Sequence, residues 1–201
     1  MTTVELDGII RESLGSLYTE LSTAPWYKRE NEIVSLFAFG HLVPVFQRKG
    51  LDSAILDIEG RVPQIEPFNK PRGRKDLVIW ARRLGSYWRD EKAAIEWERD
   101  GVQRVATNWC GDRPFAVAEW KLDDRIGYEA DKAWLKANSG LMQVGYAILV
   151  ERPGSALKLT SVKIQEGKES PFRVLPNPSN VSNVRPGARV SAPQGRLGFS
   201  R

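Results

Sequence analysis

The chain has 201 residues, of which 41% are apolar, and its 30 Lys and Arg against 25 Asp and Glu leave a formal net charge of +5. That length suits one folded domain, and a modest basic surplus fits a polyanionic partner, since phosphate contacts supply most non-specific affinity for nucleic acid. The single cysteine, Cys110, excludes an intrachain disulfide framework and a cysteine-rich zinc site, and the single histidine, His41, excludes HxxxH zinc chemistry and leaves a Ser-His-Asp triad poorly supported.

Val4 to Leu21 reads as an amphipathic helix with Leu6, Ile9, Ile10, Leu14, Leu17, Tyr18 and Leu21 on its apolar side, which either covers the core or serves a dimer interface. Trp26 to Gly40 reads as a second helix. Ile33, Val34, Phe37 and His41 follow Glu30 at helical spacing, so Glu30 lies on the inward stripe, while Glu32 shares a neighbouring stripe with Leu36 and Phe39. Glu30 is the preferred inward acid, although either glutamate also suits the positive first turn of a helix. His41 sits on the same apolar face and is expected in the core.

A strand is expected around Ser53 to Glu59. The densest basic segment, Lys70-Pro-Arg-Gly-Arg-Lys75, then leads into Asp76 and the apolar run Leu77 to Ala81, whose lack of alternation suits a central strand covered on both faces. Leu84 to Asn108, with Trp88 and Ile95, suggests an inserted helix or hairpin. Phe115 to Leu122 is a further strand, Tyr128 to Asn138 a helix, and Gln143 to Val150 another strand. Ala156 to Gln165 reads as an extra strand with Lys158 and Lys163 exposed, and Phe172 to Leu175 as its pairing partner. From Pro176 onward Pro, Asn, Ser, Gly and Arg dominate, so residues 176–201 are expected to form a flexible basic tail behind a single domain spanning 1–175. The glycines form neither a Walker loop nor a dinucleotide fingerprint, and no signal peptide or long apolar segment is present; a cytoplasmic protein with no membrane partner is expected.

The strand Phe115-Ala-Val-Ala-Glu-Trp-Lys-Leu122 carries the chemistry. Side chains repeat with period two in a strand, so Glu119 and Lys121 point to one face of an apolar run. Charges at such a depth are tolerated mainly when they pair or hold a metal. If the strand opened by Asp76 lies alongside, two carboxylates converge, which is what a hard divalent cation such as Mg²⁺ needs. Asp90-Glu91-Lys92 and Glu166-Gly167-Lys168 repeat the carboxylate-x-Lys pattern, but in a charged stretch and a turn where solvation explains them. Asp131 shares a helical face with Trp134 and Leu135, yet with Glu129 it is placed in the first helical turn, complementing the dipole.

The order of a helix with Glu30, a strand, the strand of Asp76, the strand of Glu119 and Lys121, a helix and a last strand resembles the PD-(D/E)XK nucleases, over roughly residues 26–150. The proline of that motif is Lys75 here, and the gap between Asp76 and Glu119 is long. The resemblance implies an α/β restriction-endonuclease-like fold, a central mixed sheet flanked by helices in αβββαβ order, with an N-terminal helix and a C-terminal extension. It implies a Mg²⁺-dependent nuclease, with Mn²⁺ as an alternative ion, held by Asp76, Glu119, the carbonyl of Trp120 and Glu30. Lys121 would act on the attacking water or the phosphate, and Arg72, Arg74 and Lys75 would contact nucleic acid, in the first place DNA. It also implies dimers or larger complexes. The other reading is a catalytically inactive nucleic-acid-binding or assembly protein of the same fold.

Overall fold

The computed structural model describes residues 1–23, 29–63, 72–81, 93–99, 102–108, 113–153 and 156–174. The expectations about Trp26, Lys70, Trp88, Cys110 and the 176–201 tail fall outside these residues. Helix α1 (Thr3–Thr23) is followed by α2 (Glu30–Ser35), which runs through a π-helical turn (Leu36–Leu42) into α3 (Val43–Arg48). The expected helix ending at Gly40 therefore continues to Arg48, with the proline of its last segment at the start of α3, where a missing N–H costs little.

Strands β1 (Leu56–Pro63), β2 (Arg72–Trp80) and β5 (Pro114–Leu122) form an antiparallel meander. Helix α4 (Arg125–Ala137) then crosses to β6 (Val144–Glu151), which lies parallel to β5. Strands β7 (Lys158–Gln165) and β8 (Lys168–Pro171) add antiparallel at the far edge, giving the six-stranded order β1-β2-β5-β6-β7-β8. The segment expected to pair with β7 starts earlier than the sequence suggests: β8 ends at Pro171, and Phe172 adds a last link to Ser161, donating its N–H to the carbonyl oxygen at 3.0 Å and accepting the Ser161 hydroxyl on its own carbonyl. The expected insertion is a hairpin of its own, β3 (Ala93–Arg99) with β4 (Val102–Asn108).

Neighbouring residues of β6 show how the layers stack. The helix α4 approaches Gly145 so closely that an added Cβ would stand 2.9 Å from Leu135 Cδ2. Tyr146, next in the strand and therefore on the other face, donates its hydroxyl to Asp7 of α1 at 2.7 Å. Helices thus cover both faces, and β6 is buried from Val144 to Val150, as a doubly covered strand must be. Leu6, Ile9, Ile10, Leu14, Leu17 and Leu21 are all buried, so α1 covers the core. Among the described residues no helix is long and apolar enough to cross a membrane.

Candidate active site

Strands β2 and β5 pair from Trp80 and Pro114 to Leu77 and Ala118, and there the ladder between them ends. On the other side of β2 the register with β1 is continuous except at one position: Glu59, which stands opposite Asp76, adopts a left-handed φ of 58° and drops out. Asp76 is therefore without a ladder partner on either side. Its backbone polar group must be satisfied in some other way. The N–H of Asp76 donates to Glu119 Oε2 at 3.2 Å, and the N–H of Trp120 donates to Asp76 Oδ2 at 2.7 Å. This reciprocal exchange joins the two carboxylates where the strands part, within the sheet rather than at the strand ends.

Glu119 and Lys121 share a face but do not pair with each other. Glu119 Oε1 forms an ion pair with Lys75, and the two side chains are only 5% and 9% exposed. The Lys75 ammonium also lies 3.6 Å from the centroid of the Trp134 ring on α4. Lys121 Nζ reaches Glu30 Oε1 at 3.0 Å, Asp131 Oδ2 at 3.1 Å and the carbonyl oxygen of Trp120 at 2.7 Å. Between the two charges, Trp120 turns to the opposite face and packs against Phe37, with ring centroids 4.9 Å apart.

Local chemistry explains how each partner arrives. Glu32 reaches back to the Arg29 N–H at 3.3 Å, capping the first turn of α2, which leaves Glu30 to extend toward Lys121. On the other side, Asp123 takes a left-handed φ of 54° and the Asp124 side chain accepts the Gly127 N–H at 2.9 Å, so α4 starts within two residues of β5. Gly127 leaves room for both side chains: a Cβ at that position would press on the Asp124 carboxylate and lie 2.8 Å from Lys121 Cδ. The early start moves Asp131 into the second turn, where it faces Lys121, correcting its expected place in the first turn.

The basic residues differ in placement. Arg74 is exposed, with Nε 3.5 Å from Glu59 Oε2. The Arg72 backbone belongs to β2, but its side chain lies outside the described residues. Lys75, expected at a phosphate backbone, is instead buried against Glu119 and Trp134, because strand β2 already includes it and the strand alternation turns it inward. His41 is buried, as expected of a core residue; it ties the π-helical turn to α1 through Ser16 Oγ at 3.0 Å and Glu20 Oε2 at 3.1 Å.

Burial governs the electrostatics. It pushes the Glu119 carboxyl up to about 8, with Asp76 and Asp131 adding to the effect of burial and Lys75 opposing it. Burial also raises Glu30 and Asp131, in both cases against the pull of Lys121. For Lys121 burial disfavours the charge, but Asp131, Glu30 and Asp76 outweigh it and hold the ammonium well above its ordinary value. Four acids, Glu30, Asp76, Glu119 and Asp131, thus surround two ammoniums, Lys75 and Lys121. Fully ionised, the cluster carries two uncompensated negative charges.

This donor set suits Mg²⁺, a hard ion that binds oxygen ligands, keeps several waters and usually takes only one or two protein carboxylates. Among the described residues no three His, Cys, Asp or Glu side chains converge as a preformed cage. Asp76, Glu119 and the Trp120 carbonyl would hold the ion, with Glu30 reaching it directly or through water. Compared with models of protein families, with curated proteins and with solved structures, the chain has no match.

Proposed function

We propose that this protein is a divalent-metal-dependent nuclease of the restriction-endonuclease-like fold, hydrolysing phosphodiester bonds in DNA. The observation that carries the reading is the parting of β2 and β5, where the Asp76 N–H donates to Glu119, the Trp120 N–H donates to the Asp76 carboxylate, and Lys121 stands two residues beyond Glu119. The helix–three-strand–helix–strand order around that point agrees with it.

A bound Mg²⁺ would polarise the phosphoryl oxygen and make its coordinated water more acidic. The chain supplies the rest. Asp76 and Glu119 would hold the ion, and each carboxylate is aligned by the other strand's backbone N–H. Lys121 stays protonated between Glu30 and Asp131, so it serves as a fixed positive charge beside the phosphate or as an orienting donor to the attacking water. Water adds to phosphorus, the ester P–O bond breaks, and the departing oxygen takes up a proton. Arg74, exposed at the start of the same strand segment, contacts the nucleic-acid backbone.

The Lys75–Glu119 ion pair favours a second reading, a nucleic-acid-binding protein of the same fold that does not turn over, because one candidate ligand is already neutralised from within. Incubation with supercoiled, linear and single-stranded DNA and with RNA, in Mg²⁺, Mn²⁺ or EDTA, separates the two. Metal-dependent nicking that disappears in Glu119→Ala is the expected result. Binding without cleavage under every ion would establish the second reading and overturn the first.

A further inference from the structure

Lys75 stands immediately before Asp76, yet its side chain and that of Glu119 are among the least exposed charges of the described residues. Its ammonium has two partners, the Glu119 carboxylate and the face of Trp134 at 3.6 Å. The other oxygen of Glu119 is held by the Asp76 N–H. Lys121 is committed elsewhere, to Glu30, Asp131 and the Trp120 carbonyl. Glu119 is therefore the one candidate ion ligand whose charge is balanced by a dedicated lysine.

We propose that Lys75 is an internal cation standing in for the divalent ion at Glu119, and that ion binding displaces its ammonium from that carboxylate. The inference rests on the metal-dependent reading above. A divalent ion at Glu119 brings two more positive charges close to an ammonium that is shielded from water, where repulsion is weakly screened. The long flexible stem of a lysine allows the ammonium to withdraw. Trp134 makes this easier, because its ring face offers a favourable contact that survives loss of the carboxylate. The ion-free protein is thereby kept from leaving a buried carboxylate uncompensated, and ion and lysine bind Glu119 in competition.

The test is the acylation rate of each lysine in the whole protein at fixed pH, read by mass spectrometry after digestion, with Mg²⁺ alone or with EDTA. Calorimetry in the same buffers reports whether the ion binds. Saturating Mg²⁺ is expected to raise Lys75 acylation about tenfold, as for a group moving from a mostly closed to a mostly open state. Lys163, held by Asp7 at 2.7 Å on α1, is expected to keep its rate. In Glu119→Gln, Lys75 is expected to react fast with or without the ion. Mg²⁺ binding with no change at Lys75 would overturn the displacement and leave the nuclease reading intact. Absence of Mg²⁺ binding in calorimetry would overturn both.

Discussion

Two buried acid–lysine clusters in this protein differ in one respect that separates structure from chemistry. On one side of the sheet, Asp7 of α1 accepts the Tyr146 hydroxyl on one oxygen and the Lys163 ammonium on the other, both at 2.7 Å. Burial, with Asp7 adding to it, raises the phenol's pKa, so Tyr146 remains a neutral donor. Every polar group there has a partner and the acid is matched by a cation. Where β2 and β5 part, four acids share two ammoniums, and burial holds Glu119 at about 8. A cluster built only to hold a fold has no reason to accumulate like charge, because each unbalanced buried charge costs stability. Under the proposed function the excess has a use, in holding a divalent ion against a phosphate.

The contrast can be broken at several points, and the largest effect is expected on turnover. Lys121→Ala or Asp76→Ala should reduce Mg²⁺-dependent cleavage by about a thousandfold or more in protein that circular dichroism shows to be folded, the loss typical of removing a transition-state charge partner. Initial rates on plasmid DNA check this, and full activity in either variant would remove those residues from the site.

Asp7→Ala should act the other way. It leaves Lys163 and the Tyr146 hydroxyl without their buried partner and should cost about 2–4 kcal/mol in a urea titration, with residual folded protein keeping its cleavage rate. A loss of activity in fully folded Asp7→Ala would join the two clusters functionally and void the comparison.

The smallest effect is on the pH dependence of stability. Burial raises Glu119 from 4.5 to about 8 against the pull of Lys75, so completing the charged pair costs more in the folded state than ionising the free acid does in the unfolded chain. Between those two pH values the folded state binds more protons, so stability in EDTA should fall as pH rises, by up to about 1.4 kcal/mol per unit, and level off above. Glu30 and Asp131, also raised by burial, contribute with the same sign. Glu119→Gln should remove most of this slope. Denaturation curves across the window decide it; stability that rises with pH would contradict the burial of Glu119 as an acid.

Much of this site was legible in the sequence because period-two alternation in an apolar strand is a strong constraint. Glu119 and Lys121 had to share a face, the apolar run after Asp76 had to be a neighbouring strand, and helical spacing turned Glu30 inward, but Asp76 stands inside β2 and does not open it. What escaped were features set by where elements begin. Lys75 reads as part of a solvated basic run until β2 is seen to extend back to Arg72 and to turn it inward. Asp131 reads as a first-turn acid until Asp124 is recognised as the cap that starts α4 at Arg125, a signal present in Asp124 and Gly127 but overlooked. The roles of Glu30 and Glu32 were separable only once Glu32 was seen to cap its own helix. The hairpin Ala93–Asn108 was open between helix and hairpin because its apolar residues fit either period.

The most direct test of the central claim is a calorimetric titration of Mn²⁺ into the protein without nucleic acid, with Asp76→Ala and Asp7→Ala alongside. Saturable binding near one ion per chain, lost in Asp76→Ala and kept in Asp7→Ala, is the expected result. Binding that is absent, or that survives loss of Asp76, would contradict the assignment of the unbalanced cluster as a metal site.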